Sequence, residues 1–402
     1  MRLLSLALLA PLAQGFLPAP AAPRPFTQRA PLHMSAPPKT RKAPVFDEVC
    51  ETTGVTLTRF MIEVAFLNPE MQELPALFSG ISTACKAISD MVKRSQLTGL
   101  VGYADGGGSI NVQGEEQKTL DIMTNDVLKR ALRFTGKLGV LASEEEDTPV
   151  GVPLNPKDVV FDETSKYTAV FDPLDGSSNV DAGIPTGTIF GIFEHDDECE
   201  IAEGGSMTED ELLCLQNTLK PGTDLIASGY CLYSSSCFFV VTLGAGVYGF
   251  TLDENIGEFV LTHPNIKVPE TSKIYSFNEA NMPQWDVPMR ETVEKWRLGT
   301  GASGNSFTSR YIGSMVGDVH RTLLYGGVFG YPSDKKNVNG KLRLLYEGAP
   351  MSFLMEQAGG LSTDGRGRVM EIVPKEVHQR VPIIMGSKKD VQEVIDAYAK
   401  SK

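Results

Sequence analysis

Residues 172–178 read Asp-Pro-Leu-Asp-Gly-Ser-Ser and follow an apolar run, residues 167–171, with the length and composition of a strand. Pro173 fixes the backbone between two carboxylates and Gly176 permits a tight turn, so Asp172 and Asp175 can point at one cation. Gly176, Ser177 and Ser178 then offer backbone N–H groups where a helix is expected to begin, a favourable seat for a phosphate. Cation and phosphate would be neighbours. As a bare pattern the segment is also open to reading as an ordinary strand-to-helix turn.

Further acids stand at expected element ends on both sides of this motif. Leu120, Met123, Val127, Ala131 and Phe134 recur at helical spacing up to Gly136, predicting an amphipathic helix with Asp121 at its start. Residues 138–142 predict a strand with Glu144 and Glu145 just beyond it. Pro350 opens a helix that Gly359 and Gly360 close, with Glu347 before it. Strands are also expected at 238–243, 247–252 and 381–385, with a last helix from Lys388. This mixture without strict alternation predicts a layered α/β (α+β) architecture. Hard cations such as Mg²⁺ take oxygen ligands, and carboxylates converging from several element ends can hold more than one ion. A solvated role is the plainer reading of any single acid.

The chain has 402 residues, 42% hydrophobic and 22% charged, enough for two packed domains with a sizeable core. Its formal charge of −13 argues against nucleic acid or an anionic membrane surface as the main partner. The first 46 residues differ, containing no Asp or Glu but Arg2, Arg24, Arg29, Lys39, Arg41 and Lys42. An apolar run over residues 3–13 is too short to span a bilayer but suits a signal-peptide core, and Ala13, Gln14 and Gly15 offer a cleavage site before Phe16. We therefore expect a signal peptide over about 1–15 and a transit-like segment over about 16–46. A secreted protein with a pro-segment is the alternative. No other window approaches the roughly 20 apolar residues of a membrane span, so no membrane association is expected of the mature chain.

An Asp, then Glu-Glu, then Asp-Pro-Leu-Asp-Gly-Ser, then a distant acid resembles the signature of the Mg²⁺-dependent, lithium-sensitive sugar and inositol phosphatases. Asp121, Glu144, Glu145, Asp172, Asp175 and Glu347 match it in order. Residues 273–279 (KIYSFNE), 310–321 (RYIGSMVGDVHR), 325–332 (YGGVFGYP) and 339–347 (NGKLRLLYE) are similar to motifs of the fructose-1,6-bisphosphatase family, and the similarity runs from about Thr56 to the C-terminus. The resemblance implies the sugar-phosphatase fold, with alternating helix and sheet layers, and domains at 47–240 and 241–402. It implies two or three Mg²⁺ per subunit, with Mn²⁺ as substitute, held by Glu115, Glu144, Asp172, the Leu174 carbonyl, Asp175 and Glu347. Asp121 and Glu145 would serve the attacking water. Gly176, Ser177 and Ser178 would meet one phosphate; Asn278, Tyr311, Tyr331 and Lys341 would grip the other, with Arg310 reaching from a neighbouring subunit of a homotetramer. Arg343 would face the metal side. For each of these alone, a core aromatic or an exposed lysine is the plain alternative.

Six cysteines occur. Cys85, Cys231 and Cys237 sit in apolar patterns and read as reduced packing residues, whereas Cys199 and Cys214 lie in an acidic insertion, residues 194–222, where no core explains them. That insertion resembles the redox-sensitive loop of chloroplast members of the family, which implies a regulatory Cys199–Cys214 disulfide reduced by thioredoxin. A third loop cysteine of plant members is replaced by Leu219. Lys166 and Tyr167 match part of the AMP site of cytosolic members, but Glu194 stands where a phosphate-binding Arg would be, and a carboxylate there repels a nucleotide phosphate. The expected activity is hydrolysis of fructose 1,6-bisphosphate in the plastid stroma of an alga with a bipartite presequence. The alternatives are a sedoheptulose-1,7-bisphosphatase and a catalytically silent metal-binding protein.

Overall fold

Three helices cover the first face of the fold. Thr56 caps α1 (Leu57–Leu67) by accepting the Arg59 N–H, Pro75 stands in the first turn of α2 (Leu74–Thr98), and α3 (Thr119–Arg133) follows. The computed structural model describes residues 43–46, 53–100, 102, 118–151, 166–195 and 215–401. Nearly all of the expected presequence, together with Glu115, Cys199 and Cys214, lies outside the described residues.

An eight-stranded sheet comes next: β1 (Leu138–Ser143), β2 (Val150–Gly151), β3 (Tyr167–Asp175), β4 (Thr186–Glu194), β5 (Leu225–Tyr233), β6 (Cys237–Thr242), β7 (Tyr248–Asp253) and β8 (Glu258–His263). Its order is β2-β1-β3-β4-β5-β6-β7-β8, with β1 and β3 parallel and the other pairs antiparallel. Strands β3 and β5 are buried throughout, because helices cover both faces, which explains their unbroken apolar runs. On one face Phe60, Phe78, Ile88 and Leu128 pack with Phe190 and Phe239.

The second half of the described chain supplies β9 (Ile274–Ser276), α4 (Val287–Leu298), β10 (Thr308–Ser309), α5 (Met315–Tyr325), β11 (Val328–Tyr331), β12 (Leu342–Arg343), α6 (Ala349–Gln357), β13 (Leu361–Thr363), β14 (Arg380–Val381), β15 (Ile383–Gly386) and α7 (Lys388–Lys400). Val316 and Leu323 of α5 and Met351 and Leu354 of α6 share a core with Val170, Ile189 and Tyr230 of the large sheet and with Phe329 and Ile383 of a five-stranded sheet ordered β10-β9-β11-β15-β13. Helices α4 and α7 close the other side with Val293, Trp296, Val391 and Val394. The layers therefore run helix, sheet, helix, sheet, helix, as the sequence led us to expect. No helix among the described residues is long and apolar enough to cross a membrane.

Three expectations change. In α3 the buried stripe is Leu120, Asp121, Thr124, Asn125, Leu128 and Leu132, while Met123 is 38% and Phe134 79% exposed. The helix is rotated from its apolar pattern because polar Asn125 is turned inward to hold the turn after β1. The acidic motif does not follow β3 but ends it, with a register break between Asp172 and Asp175. The expected division at 240/241 falls inside β6, and the large sheet continues to His263.

Candidate active site

The end of β3 sets the site. Its register break breaks the alternation of faces, so Asp172 and Asp175 present carboxylate oxygens to the same space as Glu347; the ligand atoms of all three lie within 4.8 Å of one another. Asp172 folds back to accept the Leu174 N–H at 2.9 Å, and Thr188 donates to the Pro173 carbonyl at 2.8 Å, which fixes the strand end. Leu174 is buried there. Glu347 comes from a π-helical turn, Leu344–Gly348, that leads into α6, and it accepts the Arg343 N–H. A π turn is a frequent mark of a functional site, because it displaces one residue from the regular helix face.

Glu144 adjoins the cluster, its carboxyl near enough to that of Asp172 for one to donate to the other when protonated. The Arg343 guanidinium pairs with Glu144 at 3.2 Å, which places Arg343 on the side of the carboxylates. The Glu144–Glu146 turn is held by the buried face of α3: Ser143 Oγ donates to Asn125 Oδ1 at 2.8 Å, and Asn125 donates to Glu146 at 2.9 Å. Glu145, half-buried, receives support at its backbone, its N–H donating to Ser143 Oγ at 3.3 Å. Asp121 is 7% exposed and accepts the Lys118 N–H at 3.0 Å across the start of α3. Asp121 and Glu145 are not members of the three-carboxylate group.

Burial, reinforced by neighbouring carboxylates, pushes Glu144, Asp175 and Glu347 each up to about 7 and Asp172 well above the usual range. Arg343 works in the opposite direction on Glu144 and Glu347. Three buried acids and the partly buried Glu144, with only Arg343 and, more weakly, Lys341 acting on them as cations, form a site short of positive charge. An all-oxygen donor set of this kind fits a hard divalent cation.

Gly176 follows with φ 75°, a conformation that costs glycine little, and a six-residue 3₁₀ turn, Ser177–Ala182, stands where a helix was expected. Ser177 is half-buried and Ser178 exposed. The first turn of α5 faces the same motif, Val316 N–H donating to Asp175 Oδ2 at 3.2 Å.

A pocket of about 110 Å³ opens beside the five-stranded sheet, and Asn278, Tyr311, Tyr331 and Lys341 all line it. The two tyrosine hydroxyls are hydrogen-bonded to each other, and Lys341 Nζ lies 5.4 Å from the Tyr331 ring centre. Positions far apart in sequence are thus brought together. Asn281, Trp285, Asp334 and Asn337 also line the pocket and were not anticipated; the turn around Asp334, whose carboxylate accepts the Lys336 and Asn337 N–H groups, was the available signal. Arg310 does not line the pocket and is exposed. Cys85, Cys231 and Cys237 are buried in the core between the first three helices and the large sheet, as packing residues would be.

The sequence model described as "Fructose-1-6-bisphosphatase, N-terminal domain" matches residues 55–264, and that for the C-terminal domain matches residues 268–399. The chain is 48% identical over 359 residues to "Fructose-1,6-bisphosphatase, chloroplastic" of Triticum aestivum, covering 89% of this chain and 84% of the wheat protein. It is 47% identical over 342 residues to "Fructose-1,6-bisphosphatase 1, chloroplastic" of Arabidopsis thaliana, covering 84% and 79%. The crystal structure of Leishmania major fructose-1,6-bisphosphatase in holo form superposes with a TM-score of 0.76 at 37% identity, covering 87% of this chain and all of that one. Carrying both domains in order over most of its length, the chain belongs to the fructose-1,6-bisphosphatase family.

Proposed function

We propose that this protein is a plastid fructose-1,6-bisphosphatase, releasing the 1-phosphate of fructose 1,6-bisphosphate to leave fructose 6-phosphate. The observation that carries the reading is the pairing of two sites. A buried carboxylate cluster at the end of β3 and a separate pocket lined by Tyr311, Tyr331 and Lys341 are the two grips a bisphosphate needs. The relatives named above, all chloroplastic in the plant cases, support the substrate and the compartment.

Mg²⁺ held by Glu115, Glu144, Asp172, Asp175, Glu347 and the Leu174 carbonyl would supply charge stabilisation and a more acidic water. The protein's own residues do the rest. Gly176, Ser177 and Ser178 hold the 1-phosphate by N–H donation beside the cluster. Asn278, Tyr311, Tyr331 and Lys341 anchor the 6-phosphate, so that the sugar is oriented with its reacting end towards Asp175. Arg310, exposed in a single subunit, completes that grip across a homotetramer interface. Glu145 accepts the proton of the attacking water, with Asp121 assisting. The Cys199–Cys214 pair forms a disulfide that lowers activity until thioredoxin reduces it, and the presequence is removed on import into an algal plastid.

Phosphate release from fructose 1,6-bisphosphate and from sedoheptulose 1,7-bisphosphate tests the assignment, and a clear preference for the seven-carbon sugar would overturn it. Glu145→Gln at saturating Mg²⁺ tests the base: turnover is expected to fall by about 10²-fold or more, and near-normal turnover would remove Glu145 from that role.

A further inference from the structure

The segment 310–313 links the two halves of the site. It carries Tyr311 into the distal pocket, while the next residues begin α5, whose Val316 N–H reaches Asp175. Its backbone is held from three elements. Asp318, fully buried in the first turn of α5, accepts the Ile312 N–H with both carboxylate oxygens at 3.1 Å and the Gly313 N–H at 3.0 Å. Arg321, one turn along, donates through Nη2 to Asp318 Oδ1 at 2.6 Å and to Ser276 Oγ, and Ser276 in turn donates to the Arg310 carbonyl at 2.9 Å. Asn179, in the turn after the acidic motif, donates to the Gly313 carbonyl at 3.1 Å.

Stability does not account for this arrangement. A buried ion pair often contributes no more than an apolar pair of the same volume. Arg321 Nε is also buried without a hydrogen-bond partner, which is unfavourable. What the charges do achieve is directional: two amides and one carbonyl on either side of Tyr311 are fixed in place. A tyrosine hydroxyl that is to meet a phosphate needs its backbone located to within a fraction of an ångström.

We propose that Asp318, braced by Arg321 and Ser276, is a positioning residue that holds Tyr311 in register for the distal phosphate and so sets the preference for a bisphosphate. This rests on the function proposed above. Asp318 touches no substrate in this account and acts only through the segment before it.

The test uses the two products as separate probes on the full-length mature protein. Fructose 6-phosphate carries only the distal phosphate, and inorganic phosphate reports on the carboxylate side. For Asp318→Asn, which keeps the shape but removes the charge holding Arg321, the inhibition constant for fructose 6-phosphate is expected to rise about tenfold or more. The constant for inorganic phosphate should change by less than about twofold, and KM for fructose 1,6-bisphosphate should rise by more than kcat falls. Ser276→Ala, a smaller change in the same chain of bonds, should shift the fructose 6-phosphate constant in the same direction, and it carries the test if Asp318→Asn does not fold. Both constants rising together would mean a merely structural role, and neither rising would mean no role; either result overturns the proposal. A wild-type protein that does not hydrolyse fructose 1,6-bisphosphate would instead sink the function on which the proposal rests.

Discussion

Asp175→Asn removes one negative charge from the cluster while keeping its shape, and its effect on stability should depend on pH. The Asp175 carboxyl is raised from 3.8 to about 7, chiefly by burial and then by repulsion from Glu347. A group whose pKa is raised on folding contributes its full stability below the unfolded value and loses it as pH climbs through the folded value. Wild-type protein without metal therefore weakens between pH 4 and pH 7 on account of this residue. The substituted amide would be neutral at every pH, and its carbonyl oxygen would still accept the Val316 N–H. At about 1.4 kcal/mol per unit, the variant should gain about 2–3 kcal/mol on wild type between pH 5 and pH 8. Coupling to Glu347 makes that an upper figure. Thermal unfolding in a chelator at the two pH values reads it: the gap between the melting temperatures should widen by a few degrees at pH 8 in favour of the variant. An unmet amide N–H would shift both values equally, so the change with pH is the readout. Saturating Mg²⁺ should then stabilise wild type more than the variant, and the variant should lose almost all turnover. A gap that stays constant from pH 5 to pH 8 would refute the picture of an uncompensated, cation-seeking cluster.

The remaining predictions concern the other parts of the site and fold. Lys341→Ala takes the cation from the distal pocket and should raise KM for fructose 1,6-bisphosphate by about 10–100-fold, a loss of about 1.5–3 kcal/mol, while leaving the Mg²⁺-induced rise in melting temperature intact; unchanged KM would exclude it from the grip. In α3, Leu128→Ala should cost about 2–4 kcal/mol and Met123→Ala less than about 0.5 kcal/mol, the reverse of what the apolar pattern alone suggests; thermal melts of the two variants decide. Cys199→Ser should make activity indifferent to dithiol reduction, and a variant still silenced by oxidation would acquit this pair.

How much could be read in advance depended on how local the cause was. The strand before the acidic motif, the helix opened by Pro350 and the break at Gly359 follow from residues adjacent in sequence, and they are where they were expected. The α3 stripe was misread because its pattern counts apolar residues, whereas burial there serves Asn125, which reaches Ser143 and Glu146 in a different element. The motif 172–178 announced two carboxylates sharing a space; that β3 itself breaks register to bring them together is a property of its pairing with β4. Lys341 and Tyr311 were named through resemblance, but their neighbours Trp285 and Asn337 were not, since no local pattern marks a side chain that matters only because another segment packs beside it. Asp318 was invisible for the same reason: an acid in the first turn of a helix is ordinary until its carboxylate is seen to hold the backbone beside Tyr311.

The central claim is that a carboxylate cluster and a distal pocket act together on one bisphosphate. Its most direct test is phosphate release from fructose 1,6-bisphosphate by the purified mature protein, with and without Mg²⁺, before and after dithiol reduction. The account predicts turnover that requires Mg²⁺ and rises on reduction. Absence of turnover with Mg²⁺ and reductant both present would contradict it.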